Sequence, residues 1–154
     1  MRMPVLVIAF AIIFDFLSVA YASGMPENIL SEVRASIESR YPDNYSMQKT
    51  LIQDQVKSYE YLEGYYPSSV PYDVFERIKE KIISRYTSNF SMQKTLIRDQ
   101  VESYEYLENY HPSSVPYDVF ERIKEKIISR YPYNFSMQKT LIKDQVNSYL
   151  ELNR

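Results

Sequence analysis

The chain has no cysteine and no tryptophan, and it has only two glycines and one histidine among 154 residues. The absence of cysteine excludes disulfides, zinc–thiolate sites and cysteine nucleophiles. Two glycines argue against glycine-rich phosphate loops and against a turn-rich β fold. The single histidine, His111, excludes a metal site made from a histidine pair and is poor material for a nucleophilic triad. We therefore expect no cofactor and no metal.

The charge balance gives no electrostatic reason to expect a nucleic-acid partner. Eighteen basic residues stand against 20 acidic ones, so the formal net charge is −2 and no strongly basic face is available. The hydrophobic share of 45% is ordinary for a globular domain.

What the chain does contain is a copy of itself. Residues 41–85 and 86–130 differ at only seven of 45 positions, and a third copy runs from Tyr131 to Arg154. The segment 25–40 aligns without gaps to 70–85 and to 115–130, which defines three units at about 25–64, 70–109 and 115–154. A fixed period of this size is typical of repeat arrays, in which each unit buries its apolar face on a neighbour.

The sequence of each unit predicts two amphipathic helices. The apolar stripe of the first helix in the second unit consists of Val74, Phe75, Ile78, Ile82 and Tyr86, with Ser68 or Ser69 as a helix cap. The stripe of the second helix in the first unit consists of Met47, Leu51, Ile52, Val56, Tyr59 and Leu62, after a cap at Asn44 or Ser46. The connection between the two helices of one unit is short, which favours an antiparallel pair. The predicted fold is all-α, with three tandem antiparallel helical hairpins of period 45 that form either a solenoid or a small bundle.

The amino terminus predicts export. Arg2 precedes an apolar run from Pro4 to Ala20, and small residues flank Tyr21, so residues 1–22 read as a signal peptide cleaved between Ala22 and Ser23. Asp15 within the run disfavours a permanent membrane anchor but does not exclude one. We expect a periplasmic or secreted protein that meets a membrane only through this segment, if it is uncleaved.

The divergent units indicate which positions are buried. Glu38 replaces Ile83, so that position is not deep core. Glu151 replaces Tyr106 and Tyr61, which predicts that these two tyrosines face solvent, whereas the leucines at 62 and 107 are expected to be buried.

The tyrosines are the candidate partner-binding residues, since exposed tyrosine offers a large contact area at low entropy cost. The candidates lie at the end of the second helix or in the linker that follows it, and they are Tyr61, Tyr65, Tyr66, Tyr106, Tyr110 and His111. The alternative is that the linker tyrosines fold back over the unit below and close its core.

A pair of glutamines, seven residues apart, recurs near the middle of the apolar face of each second helix. The set is Gln48, Gln55, Gln93, Gln100, Gln138 and Gln145. We expect these amides to satisfy turn carbonyls or a neighbouring helix end, because buried polar groups need partners. The alternative is a polar ladder that grips an extended ligand.

The carboxylates Asp54, Glu60 and Glu63, with their copies, are the remaining candidates for acid–base chemistry. Charged residues at this spacing usually form the solvent-exposed face of a helix. We expect no catalytic residues.

The string YP-x-N-[YF]-SMQ-x5-DQ-x2-SY occurs at 41–59 and 131–149. It resembles a short helical element of exported bacterial helical-repeat proteins, where it stands alone or beside other domains. The second unit departs from it, because Thr87 replaces the proline. The resemblance implies a bacterial, envelope-facing protein and no assigned activity.

The sequence therefore predicts an exported, non-enzymatic repeat protein that acts as a protein-interaction module in the bacterial envelope or exterior. Its partner is an unknown protein or a second copy of itself. Two alternatives are a self-assembling structural protein and a carboxylate-dependent envelope enzyme.

Overall fold

The computed structural model describes residues 24–154, and within this range six α-helices follow one another with no strand. Their bounds are α1 Glu27–Arg40, α2 Tyr45–Gly64, α3 Tyr72–Ile83, α4 Phe90–Glu108, α5 Tyr117–Arg130 and α6 Phe135–Leu152. Each predicted unit contributes two of them, and α3 and α5 begin one period apart. The all-α, repeat-built fold class is confirmed. The predicted signal segment 1–22 lies outside the described residues.

The described residues form two compact bodies that divide between Glu60 and Tyr61, inside α2. The first body contains α1 and most of α2. Its buried apolar side chains are Met25, Leu30, Val33, Ile37, Ile52 and Val56. The backbone N–H of Gly24 donates to Oε1 of Glu60 at 3.1 Å, which ties the start of the described chain to α2.

The second body contains the remaining helices, with α3 packed on α4, α5 on α6, and α4 on α6. Its two buried clusters centre on Phe75 with Ile97, and on Phe120 with Ile142. The ring of Phe135 packs against both clusters. The second and third units are therefore joined through one apolar interior, as expected for stacked repeats.

The start of each second helix is capped by an asparagine. Oδ1 of Asn44, Asn89 and Asn134 accepts from the N–H three residues later at 3.2, 3.1 and 3.4 Å. The serine cap predicted for α3 is wrong: Pro71 is the N-cap residue and α3 has no side-chain cap. The hydroxyl of Ser69 instead donates to the carboxylate of Glu105.

The buried face of the second helices is rotated from the predicted stripe. Met47, Met92 and Met137 are 42%, 40% and 41% exposed, so the placement of Met47 in the apolar stripe is wrong. The adjacent glutamine occupies the buried position in each copy, because its amide bonds to the preceding turn. One residue is a rotation of about 100° around a helix, which carries the methionine out to solvent.

Two serines are buried in positions that the sequence did not single out. Ser58 and Ser103 are each 1% exposed, and their hydroxyl oxygens have no hydrogen-bond partner among the described residues. The equivalent serine of the third unit, Ser148, is exposed. A buried hydroxyl without a partner costs free energy, so these serines destabilise the fold locally.

Replacing Ser103 by alanine is expected to raise the free energy of unfolding by about 1 kcal/mol, since it removes an unpaired buried hydroxyl. The matched change Ser148→Ala has the same effect on helix propensity but removes a solvated hydroxyl, and it is expected to stay within about 0.5 kcal/mol. Urea denaturation of both variants measures the difference. A lower stability for Ser103→Ala than for Ser148→Ala would show that the hydroxyl is paired.

Candidate functional site

Stacked tyrosine pairs recur at the carboxyl ends of the second helices. The ring centroids of Tyr61 and Tyr65 are 5.0 Å apart, and those of Tyr106 and Tyr110 are 5.1 Å apart, with an interplanar angle of 24° in both pairs. Offset stacking at these distances is favourable. The repeat thus preserves both the residues and their geometry.

Lysines cover the first ring of each stack. Nζ of Lys94 lies 5.1 Å from the ring centroid of Tyr61, and Nζ of Lys139 lies 5.0 Å from that of Tyr106. Both distances suit a cation–π interaction. Tyr61 and Tyr106 are only partly exposed, so the prediction that they simply face solvent is corrected: neighbouring side chains cover part of each ring.

The second ring of each stack folds back on the core. Tyr65 meets the edge of Phe75, and Tyr110 meets the edge of Phe120, both at 5.9 Å and 73°. Burial raises the pKa of Tyr65 and of Tyr110, and the stacked tyrosine beside each pushes the pKa in the same direction. The shift extends the pH range in which both phenols are neutral. These two linker tyrosines close the core.

A second set of aromatic residues remains exposed. Tyr66 is 56% exposed and stacks on Tyr72, which is 64% exposed, with centroids 6.0 Å apart. In the linker before the third unit, His111 takes the place of Tyr66 and is exposed. Tyr117, equivalent to Tyr72, is 75% exposed. We call Tyr66, Tyr72, His111 and Tyr117 the linker aromatic surface.

The residues Tyr72 and Tyr117 were missing from the sequence candidates. Both directly follow a proline in the repeated string SSVPY. They occupy the first helical position, and the repeated string was the signal that could have identified them.

The first glutamine of each pair holds the turn that precedes its own helix. Nε2 of Gln48, Gln93 and Gln138 donates to the carbonyl seven residues earlier, at 2.8, 2.6 and 2.7 Å. All three amides are buried, and Gln93 also donates to the carbonyl of Thr87 at 3.2 Å. These contacts give the amides a structural use.

The second glutamine of each pair has a different environment in each unit. Oε1 of Gln100 accepts from the backbone N–H of Phe135 at 2.7 Å and of Ser136 at 3.4 Å, at the start of α6. Gln55 is partly buried, whereas Gln145 is exposed. The amino end of a helix has unpaired N–H groups, so Gln100 caps the helix of the next unit.

Two grooves of the second body contain a candidate carboxylate, and each contains only one. Glu108 lines a groove of about 360 Å³ with Tyr104 and Lys124. Asp99 lines another of about 280 Å³ beside Gln100. Neither groove holds a second carboxylate, and residues 24–154 contain no group of three or more potential metal ligands.

The chain matches no protein-family model, no curated protein and no solved structure. Within the described range, no helix has the length and apolar character that crossing a membrane requires. The predicted cleavage position, Ala22 to Ser23, lies outside that range.

Proposed function

We propose that this protein is an exported, non-enzymatic helical-repeat protein that acts by binding another protein. The observation that carries the proposal is the linker aromatic surface, which presents two exposed aromatic side chains at equivalent places at the starts of the second and third units, one in the preceding linker and one on the first helix. Tyrosine is enriched at protein interfaces because it combines apolar area with a hydrogen-bonding end.

Stacking and edge contacts give this surface a defined shape. The ring of Tyr66 is held between Tyr72 and the edge of Phe75, at 5.5 Å from the latter. His111 meets the edge of Phe120 at 6.4 Å. Side chains already restrained in the free protein lose less entropy on binding, which favours their use as anchors.

Export and a bacterial envelope setting complete the proposal. They are supported by the apolar amino-terminal segment and by the resemblance of residues 41–59 and 131–149 to exported bacterial repeat proteins.

The test is a capture experiment with the chain purified after export, set against native envelope and extracellular fractions. A matched bait carries Tyr66→Ser, Tyr72→Ser, His111→Ser and Tyr117→Ser. A control bait carries Ile83→Ser and Ile128→Ser, which change exposed apolar residues elsewhere on α3 and α5. Circular dichroism checks that all baits are folded.

We expect a partner that binds the control bait as it binds the unchanged chain. Its dissociation constant should rise about tenfold or more for the aromatic variant, because tyrosine is enriched among the interface residues whose truncation costs more than about 1 kcal/mol. A partner that binds all three baits equally would contradict the proposed surface. Turnover of an envelope substrate by the unchanged chain would contradict the non-enzymatic assignment.

A further inference from the structure

The contact between the second and third units shows how one unit receives the next. The incoming part is the turn at residues 131–137, which precedes α6. Its N–H groups are capped by Gln100, and the ring of Phe135 meets Tyr104 edge-on, at 5.1 Å and 86°. The guanidinium carbon of Arg77 lies 5.1 Å from the ring centroid of Tyr133. We call this set of contacts the repeat joint.

The third unit presents the receiving half of the repeat joint uncovered. Ile78 is 1% exposed in the second unit, and its equivalent Ile123 is partly exposed. Gln100 is half-buried and its equivalent Gln145 is exposed. These positions line a groove of about 420 Å³, with Val119, Arg122, Ile123, Ile127, Leu141 and Gln145 among its walls. We call it the third-unit groove.

The first unit presents the incoming half uncovered. Tyr45 is 67% exposed, whereas its equivalent Phe135 is partly buried in the repeat joint. The turn already has the joint-forming conformation: Asp43 has φ 62° and its equivalent Tyr133 has φ 54°. The glutamine and asparagine hydrogen bonds described above are also the same in both turns.

The two uncovered halves have complementary charge. Asp43 stands where the joint has Tyr133, and Arg122 stands where the joint has Arg77. Superposing the equivalent positions therefore places a carboxylate against a guanidinium that belongs to a groove with Lys126 and Arg130 on its walls. Arg122 now pairs with Asp118 at 3.0 Å, with both side chains 69% exposed, and an ion pair so exposed costs little to exchange.

We propose that the third-unit groove binds the turn at residues 41–47 of a second copy of this chain. Gln145 caps the first N–H groups of the incoming α2, the ring of Tyr45 packs on Tyr149, and Asp43 pairs with Arg122. The contact is heterologous, so each added copy brings a new uncovered half with it. It uses a surface separate from the linker aromatic surface and stands independently of the proposed function.

The test is the mass of the exported, purified chain by sedimentation equilibrium over a range of concentrations. We expect the average mass to rise with concentration and the association to weaken with added salt. Asp43→Lys and Arg122→Glu should each raise the dissociation constant about tenfold, because each places like charges together. The double variant should regain association, since every contact again joins opposite charges.

Matched variants keep the test decisive. Tyr133, at the position of the third unit that is equivalent to Asp43, also has positive φ, so this turn accepts a side chain other than aspartate. Circular dichroism checks that the variants are folded. The serine variant of the linker aromatic surface should associate like the unchanged chain. Concentration-independent mass, or association lost through the aromatic changes but kept in Asp43→Lys, would overturn the inference. The second result would leave the proposed function standing.

Discussion

Replacing Phe75 by alanine is expected to lower the free energy of unfolding of the second body by about 3–5 kcal/mol. The ring is 1% exposed and lies at the centre of the core cluster between α3 and α4. Its removal deletes buried apolar area and leaves a cavity, and it also takes away the edge contacts of Tyr65 and Tyr66. Urea denaturation followed by circular dichroism measures the loss.

The control for Phe75 is Ile83→Ala on the same helix. Ile83 is 38% exposed, so its truncation removes much less buried area and should cost less than about 1 kcal/mol. Equal losses for the two variants would contradict the assignment of Phe75 to the core.

Replacing Gln93 by leucine is expected to cost about 2 kcal/mol, because the carbonyls of Tyr86 and Thr87 lose their amide donor while the apolar side chain adds no compensating bond. Gln93 is 2% exposed, so water has little access to replace the lost donor.

The control is Gln145→Leu, the same substitution at an exposed glutamine. It shows how much of the loss in Gln93→Leu comes from the broken hydrogen bonds and how much from replacing glutamine by leucine. At protein concentrations where the chain is monomeric, it should alter stability by no more than about 0.5 kcal/mol. A neutral or stabilising Gln93→Leu would mean that the two carbonyls find other partners.

The helical repeat and much of its burial could be predicted from sequence because they depend on periodicity and on divergence between copies. Ile83, replaced by glutamate in the first unit, is exposed as expected. Leu107, retained as leucine in the other units, is 7% exposed as expected. The asparagine cap was one of two predicted alternatives, Asn44 or Ser46, because short polar side chains favour helix starts.

The remaining features depend on neighbours that periodicity does not identify. Leu107 packs with Val115 and Phe120 in its core cluster, whereas its equivalent Leu152 is 86% exposed. The same residue at the same place in the repeat thus has opposite surroundings. Ser103 and Ser148 differ in the same way, since the first is buried and the second is exposed.

One identical string even forms helices of different length. YDVFERIKEKIISR is helical to Arg130 in α5, but α3 stops at Ile83. In the second unit the N–H of Arg85 bonds to the carbonyl three residues earlier, at 3.1 Å, which tightens the last turn. The turns that follow differ, with Thr87 in one and Pro132 in the other. Local sequence alone therefore leaves helix ends undetermined.

The candidate site was predictable in part. The sequence identified the tyrosine-rich linkers, but all six candidates were chosen for their place in or beside these linkers. That criterion does not distinguish a buried ring from an exposed one. Only packing divides them into rings that close the core, such as Tyr65, and rings that stay exposed, such as Tyr66. Tyr72, the exposed ring that stacks on Tyr66, was not among the candidates.

The hydrogen bonds from Phe135 and Ser136 to Gln100 also bear on how such a chain can change in evolution. Gln100 lies 35 residues before the Phe135 N–H that it accepts from, and gain or loss of a whole 45-residue period keeps this spacing for the repeated copies. Related chains of different length are therefore expected to differ by whole units.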